Sequence, residues 1–141
     1  LNDKQKKIIA FAFVVVIIAL VVMYIINVSD GSALVARKFN STISQAEKDG
    51  KFNGLSFTFD LTGSPEVLDH TGDVYFVYSA AKTSTDIGSY SESSDNGLVF
   101  IIRIHSYLTG RCSMVSVVPV NGRPDQTYIN TWKQIYGGYT H

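Results

Sequence analysis

The chain has 141 residues, with 12 basic and 12 acidic side chains and a formal net charge of zero. That balance excludes the electrostatic footprint of a nucleic-acid-binding protein. A single cysteine, Cys112, excludes an intrachain disulfide and any thiolate metal site built from one chain, so packing alone must hold the fold.

The first element is also the most hydrophobic. Residues 8–26 carry no charge, no proline and no glycine. As a helix they would span about 28 Å, close to the ~30 Å hydrocarbon core of a bilayer. Lys4, Lys6 and Lys7 stand directly before this run. They predict that the N-terminus stays in the cytoplasm while the bulk of the chain lies outside. A secretory signal peptide would have a shorter apolar region, about 7–15 residues, followed by a small-x-small cleavage site. Residues 25–29 (IINVS) offer no clear site of that kind. Burial inside the chain's own domain fails on size, because roughly 110 further residues can hardly wrap a helix that is apolar on every face. The sequence starts with Leu1, not Met. If that start is natural, a leader was removed ahead of the apolar helix, which was kept.

Residues 29–32 (SDGS) form a polar break and a kink point. Beyond it Ala36, Phe39, Ile43 and Ala46 recur at spacings of three and four, with Arg37, Lys38, Glu47 and Lys48 mainly elsewhere around the turns. That pattern predicts an amphipathic helix stopped by Gly50. The expected N-terminal helical unit is 1–49, with an apolar part at 8–28 and an amphipathic part at 33–49.

After Gly50 the period changes. Residues 55–61 (LSFTFDL) alternate strictly and predict a strand with one buried face. Residues 74–78 and 98–107 are rich in aromatic and β-branched side chains. Residues 113–120 make a further strand, stopped by Pro119 and the turn at 121–124 (NGRP). Residues 83–97 are polar and serine-rich, which predicts a long mobile loop. The tail 127–136 fits either a short helix capped by Asp125 or a strand; the need of a small sheet for a closing partner favours the strand. The expected class is α+β: one long N-terminal hydrophobic helix, then a small antiparallel β domain over 50–141.

Candidate chemistry is sparse. A two-residue hairpin at Thr109-Gly110 would place Cys112 and His105 diagonally on one face, as a nucleophile with its base would need. A one-residue shift in register separates them, no third orienting residue is evident, and a lone buried cysteine is the favoured reading. Glu66, Asp69, His70 and Asp73 crowd together, but their spacing matches no EF-hand loop. A solvated turn accounts for them better than a cation site. No enzyme activity, cofactor or metal is expected. Asn27 and Asn40 each begin an Asn-x-Ser/Thr sequon. Both fall outside the cytoplasm by the orientation argument, and Asn40 is the better placed, because Asn27 lies too near the bilayer for a transferase to reach easily.

A processed N-terminus, an apolar helix at the front and a β domain behind it resemble a mature type IV pilin, in particular an archaeal one. Gln5 stands where bacterial members carry Glu, and the paired cysteines of many bacterial members are absent. The resemblance implies cleavage by prepilin peptidase, storage in the cytoplasmic membrane, and assembly by pilus machinery into a helical homopolymer. It implies a C-terminal domain that is an immunoglobulin-like β-sandwich, often glycosylated. Ile8, Phe11, Phe13, Val15, Ile18, Val22 and Ile25 would then pack in the filament core. Lys4, Lys6 and Lys7 would need compensation there, with Asp3 offsetting only one per subunit. Two readings remain. In one, the chain is a structural subunit of an extracellular filament serving adhesion or cell–cell contact. In the other, it is a permanent single-pass anchor carrying an extracytoplasmic domain.

Overall fold

A computed structural model describes residues 2–87 and 90–137 of the chain. Leu1, and with it the expected processing point, lies outside the described residues. Helix α1 runs over Asp3–Ser29 and α2 over Gly31–Lys48. Strands β1 (Thr58–Leu61), β2 (Glu66–Thr71), β3 (Val74–Ile87), β4 (Tyr90–Ser106) and β5 (Arg111–Val120) follow, and α3 (Gln126–Tyr136) closes the chain.

The two N-terminal helices part at the expected polar break. Asp30 leaves helical geometry with φ −140° and ψ 74°. It is shared: its N–H donates to the Ile26 carbonyl (3.0 Å), and its carboxylate accepts from the Ala33 N–H at the start of α2 (3.1 Å). The Ser29 hydroxyl donates back to the Ile25 carbonyl (2.8 Å), a bond that bends helices. Gly31 comes next because α2 crosses the sheet closely there: a Cβ would collide with the Tyr75 ring. At the other end Gly50 takes φ +72°, and the Lys51 N–H reaches back to the Ala46 carbonyl (3.0 Å), as expected of a glycine stop.

All five strands belong to one antiparallel sheet. Its order is β1-β3-β4-β5, with β2 also paired to β3. The resemblance implies two sheets face to face; here each face of a single sheet is covered by a helix instead. Alternation along the strands supplies the two faces. Tyr75, Val77, Phe100, Ile102, Ile104 and Met114 pack under α2 through Leu34, Val35, Phe39 and Ala46. Val74, Phe76, Val99 and Ile101 pack under α3 through Ile129, Trp132 and Tyr136. Phe39 meets Phe100 edge to face at 5.2 Å, the joint between α2 and the sheet. Ala36, expected in the buried stripe, is exposed; Leu34 and Val35, the two residues before it, take its place.

Four expectations need correction. The tail is helix α3, not a strand. The Asp125 carboxylate caps it, accepting from the Thr127 and Tyr128 N–H groups (3.0 and 3.2 Å), and its apolar side finds a sheet face to cover. Most of residues 83–97 are paired backbone: β3 and β4 stay in register from Thr83 opposite Ser94 to Ile87 opposite Tyr90, with the turn at 88–89 outside the described residues. Serine and threonine there extend a ladder already started by the hydrophobic halves. Residues 66–71 are an edge strand on β3 and no mere turn. The β4–β5 connection is longer than two residues, because Ser106 pairs with Arg111 and Ile104 with Cys112.

Candidate functional site

The outstanding surface is α1. Its 27 residues start at a capping box: the Gln5 N–H donates to Asn2 Oδ1 (2.8 Å) and the Asn2 N–H to Gln5 Oε1 (3.1 Å). The Asn2-x-x-Gln5 spacing carries this signal in the sequence, and the reading from sequence overlooked it. Asp3 sits in the first turn, where a carboxylate suits the helix dipole. From there no residue is buried until Asn27. The candidate assembly residues Ile8, Phe11, Phe13, Val15, Ile18, Val22 and Ile25 are all exposed, from 47% for Val22 to 72% for Phe11. All but Phe13 share one arc of about 100° around the axis, and the rest of the circumference between residues 8 and 26 is apolar and exposed as well. Among the described residues this is one helix long and apolar enough to cross a membrane, with a mean hydropathy of 3.3 over its best window. Lys4, Lys6 and Lys7 are exposed, and none makes an ion pair among the described residues.

At the domain end, Asn27 ties α1 to the domain by hydrogen bonds. Asn27 is 6% exposed. Its Nδ2 donates to the Tyr107 carbonyl (2.6 Å), and its Oδ1 accepts from Arg37 Nη2 (3.0 Å). The amide nitrogen that a glycan would need is therefore engaged and enclosed. Asn40, by contrast, lies on the open side of α2. The Tyr107 hydroxyl in turn donates to Asp73 Oδ1 (2.7 Å). Burial, then that bond and the Asp73 charge, push the Tyr107 phenol well above its usual range. Burial likewise raises Tyr75, helped by Asp73 and Asp30. This cluster locks the β4–β5 turn to the end of α1. In the sequence Asn27 is visible only as a sequon; its clamp spans 80 positions and leaves no local signal.

The candidate chemistry does not come together. Cys112 faces the α2 side of the sheet opposite Ile104, while His105 sits exposed at an irregularity between Ile104 and Ser106. The His105 ring meets the Ser113 hydroxyl. Burial pushes the Cys112 thiol up, only partly opposed by Lys38, so it is held as a neutral thiol. His105 moves down through burial and the nearby Arg103, Arg111 and Lys51 charges. The acidic cluster is also dispersed. Glu66 pairs with Arg123 (2.9 Å) and Asp69 with Lys133 (3.2 Å). The His70 ring stacks on Tyr75 at 4.8 Å, and Asp73 holds Tyr107. No grouping able to hold a metal ion occurs among the described residues.

What the arrangement offers is a surface for association: an apolar rod, clamped at one end to a folded α+β domain. No family model, curated protein or solved structure matches this chain.

Proposed function

We propose that the chain is a structural subunit of an extracellular type IV pilus-like filament, inserted in the cytoplasmic membrane before assembly with its N-terminus inside. Helices α1 pack in the core and the α+β domains tile the outside, serving adhesion or cell–cell contact. Its partners are identical subunits, the membrane, a prepilin peptidase and the assembly machinery. One observation carries the reading: α1 is apolar and exposed on all sides from Ile8 to Ile26, and neither hydrophobic core cluster of the domain contains an α1 residue. Burying an aliphatic or aromatic side chain yields about 1.5–3 kcal/mol, so the seven named residues alone represent on the order of 10–20 kcal/mol before ordering costs. Lipid satisfies that surface for a monomer and neighbouring helices satisfy it in a polymer. The test is electron microscopy of material sheared from cells, with the subunit identified by mass spectrometry. Deletion of residues 1–26 should leave a soluble monomeric domain. The same filament forming from that shortened chain would sink the proposal.

The permanent anchor is the second reading, favoured by Lys4, Lys6 and Lys7. In water at a cytoplasmic face they cost nothing, whereas in a filament core each must find an anion, a carbonyl or water. Asp3→Asn separates the two. In a filament it lowers yield or thermal stability beyond the ~0.3–1 kcal/mol of its helix-dipole contribution, while membrane insertion survives. An unchanged filament would reject compensation by Asp3.

A further inference from the structure

The β4–β5 turn does not point away from α1. Leu108, at its tip, is 40% exposed, and it lines an apolar groove of about 330 Å³ with Ile17, Leu20, Val21 and Tyr24. These four α1 residues form one stripe at helical spacing. The lysines before residue 8 fix one edge of the hydrocarbon layer, and about 19 helical residues fill it, so the far edge falls near Ile26. Tyr24 lies ~3 Å inside that edge and Ile17 ~14 Å inside it, at 1.5 Å per residue. Leu108 therefore cannot stay above the bilayer when α1 spans it.

The surface just above Leu108 is basic. Two grooves flank the turn. One is lined by Asn27, Arg37, Lys38, Thr109 and Gly110, and the other by Lys38, Thr109, Gly110 and Arg111 among others. No acidic residue lines either groove. Carboxylates close by are engaged elsewhere: Asp30 caps α2, Asp73 accepts from Tyr107, and Asp49, in a cavity adjoining the second groove, accepts from the Gln45 amide. Apolar tip, aromatic residue at the boundary and cations one layer out match the order of acyl chain, interface and phosphate in a lipid leaflet.

We propose that the turn at residues 107–110 is a membrane-docking element. Leu108 enters the leaflet on the domain's side, and Arg37, Lys38 and Arg111 sit among lipid phosphates. The α+β domain is thereby held flat on the bilayer in the stored subunit, and this turn must leave the lipid before α1 does. The inference rests on the membrane-inserted state of the proposed function but not on the filament.

Spin labelling tests it on the full chain. Leu108→Cys, with Cys112→Ser to remove the native thiol, is labelled with a nitroxide and placed in phosphatidylcholine vesicles with 30% phosphatidylglycerol. A label at Tyr128→Cys, exposed on α3, serves as the aqueous reference. Collision with dissolved oxygen should exceed collision with a water-soluble nickel chelate at position 108, and the reverse should hold at 128. Adding Lys38→Gln and Arg111→Gln should raise nickel access at 108 several-fold. A fully aqueous label at 108 in vesicles overturns the insertion. Unchanged access in the charge variant overturns the phosphate contact. A label shielded only in isolated filaments would make the groove a seat for a second copy and refute the lipid assignment.

Discussion

Replacing Asn27 by alanine tests the clamp between the rod and the domain. The substitution removes two hydrogen bonds, to the Tyr107 carbonyl and from Arg37. The two losses differ in weight. Arg37 is exposed and turns to water, costing a few tenths of a kcal/mol. The Tyr107 carbonyl is part-buried beside α1, and a buried acceptor left unsatisfied costs about 1–3 kcal/mol. The sum is about 2 kcal/mol. For a domain of this size ~4–5 °C of Tm accompanies each kcal/mol, so a fall of about 8–10 °C is expected. The assay is near-ultraviolet circular dichroism of the full chain in detergent micelles, which follows the aromatic core and ignores the helicity of α1. Ser29→Ala supplies the control. It abolishes the sequon yet touches only the Ser29 bonds to Ile25 and Ile26 within α1, so Tm should move by less than about 2 °C. Equal losses in both variants would assign the effect to a missing glycan and refute the clamp. A fall under ~2 °C for Asn27→Ala would refute it as well.

The remaining expectations concern modification, the thiol and acid. Intact mass of native protein should show a glycan that maps to Asn40 and is lost in Asn40→Gln, with none at Asn27; a bare-chain mass counts against the assignment. Cys112→Ala should change stability by no more than ~1 kcal/mol, and the native thiol should alkylate slowly at pH 8 until the domain unfolds; rapid labelling would contradict its raised pKa. Stability should fall in two acid windows. His105 is depressed when folded, so the unfolded chain takes the proton first. Its share of stability is complete above the ordinary 6.5 and is lost as pH falls below it. At Asp69, burial is outweighed by the His70 N–H, Gln126 and Lys133, so its contribution is present above 3.8 and lost as pH falls further. His105→Gln should flatten the first window and leave the second; equilibrium denaturation at stepped pH reads both, and an unflattened first window would remove His105 from the account.

Sequence alone determined the features set by neighbours along the chain. The length and uniform apolarity of residues 8–26 dictate a helix with no preferred face. Asp30 and Gly50 mark where helices stop, because side-chain capping and a left-handed glycine act within four residues. The aromatic and β-branched residues of 74–78 and 98–107 marked both stretches as strand. Tertiary structure decided whatever depends on distant partners. The polar run at 83–86 became strand because β4 supplies a ladder opposite it. The tail settled as helix because β2 and β3 present an apolar face that α3 covers. The separation of Cys112 from His105 followed from a register set by packing under α2. Asn27 reads as a sequon in sequence and acts as a clamp in the fold, since only folding brings the Tyr107 carbonyl and Arg37 to its amide. Leu108 reads as an ordinary turn residue, and only the backward slope of the β4–β5 turn lays it against the stripe from Ile17 to Tyr24.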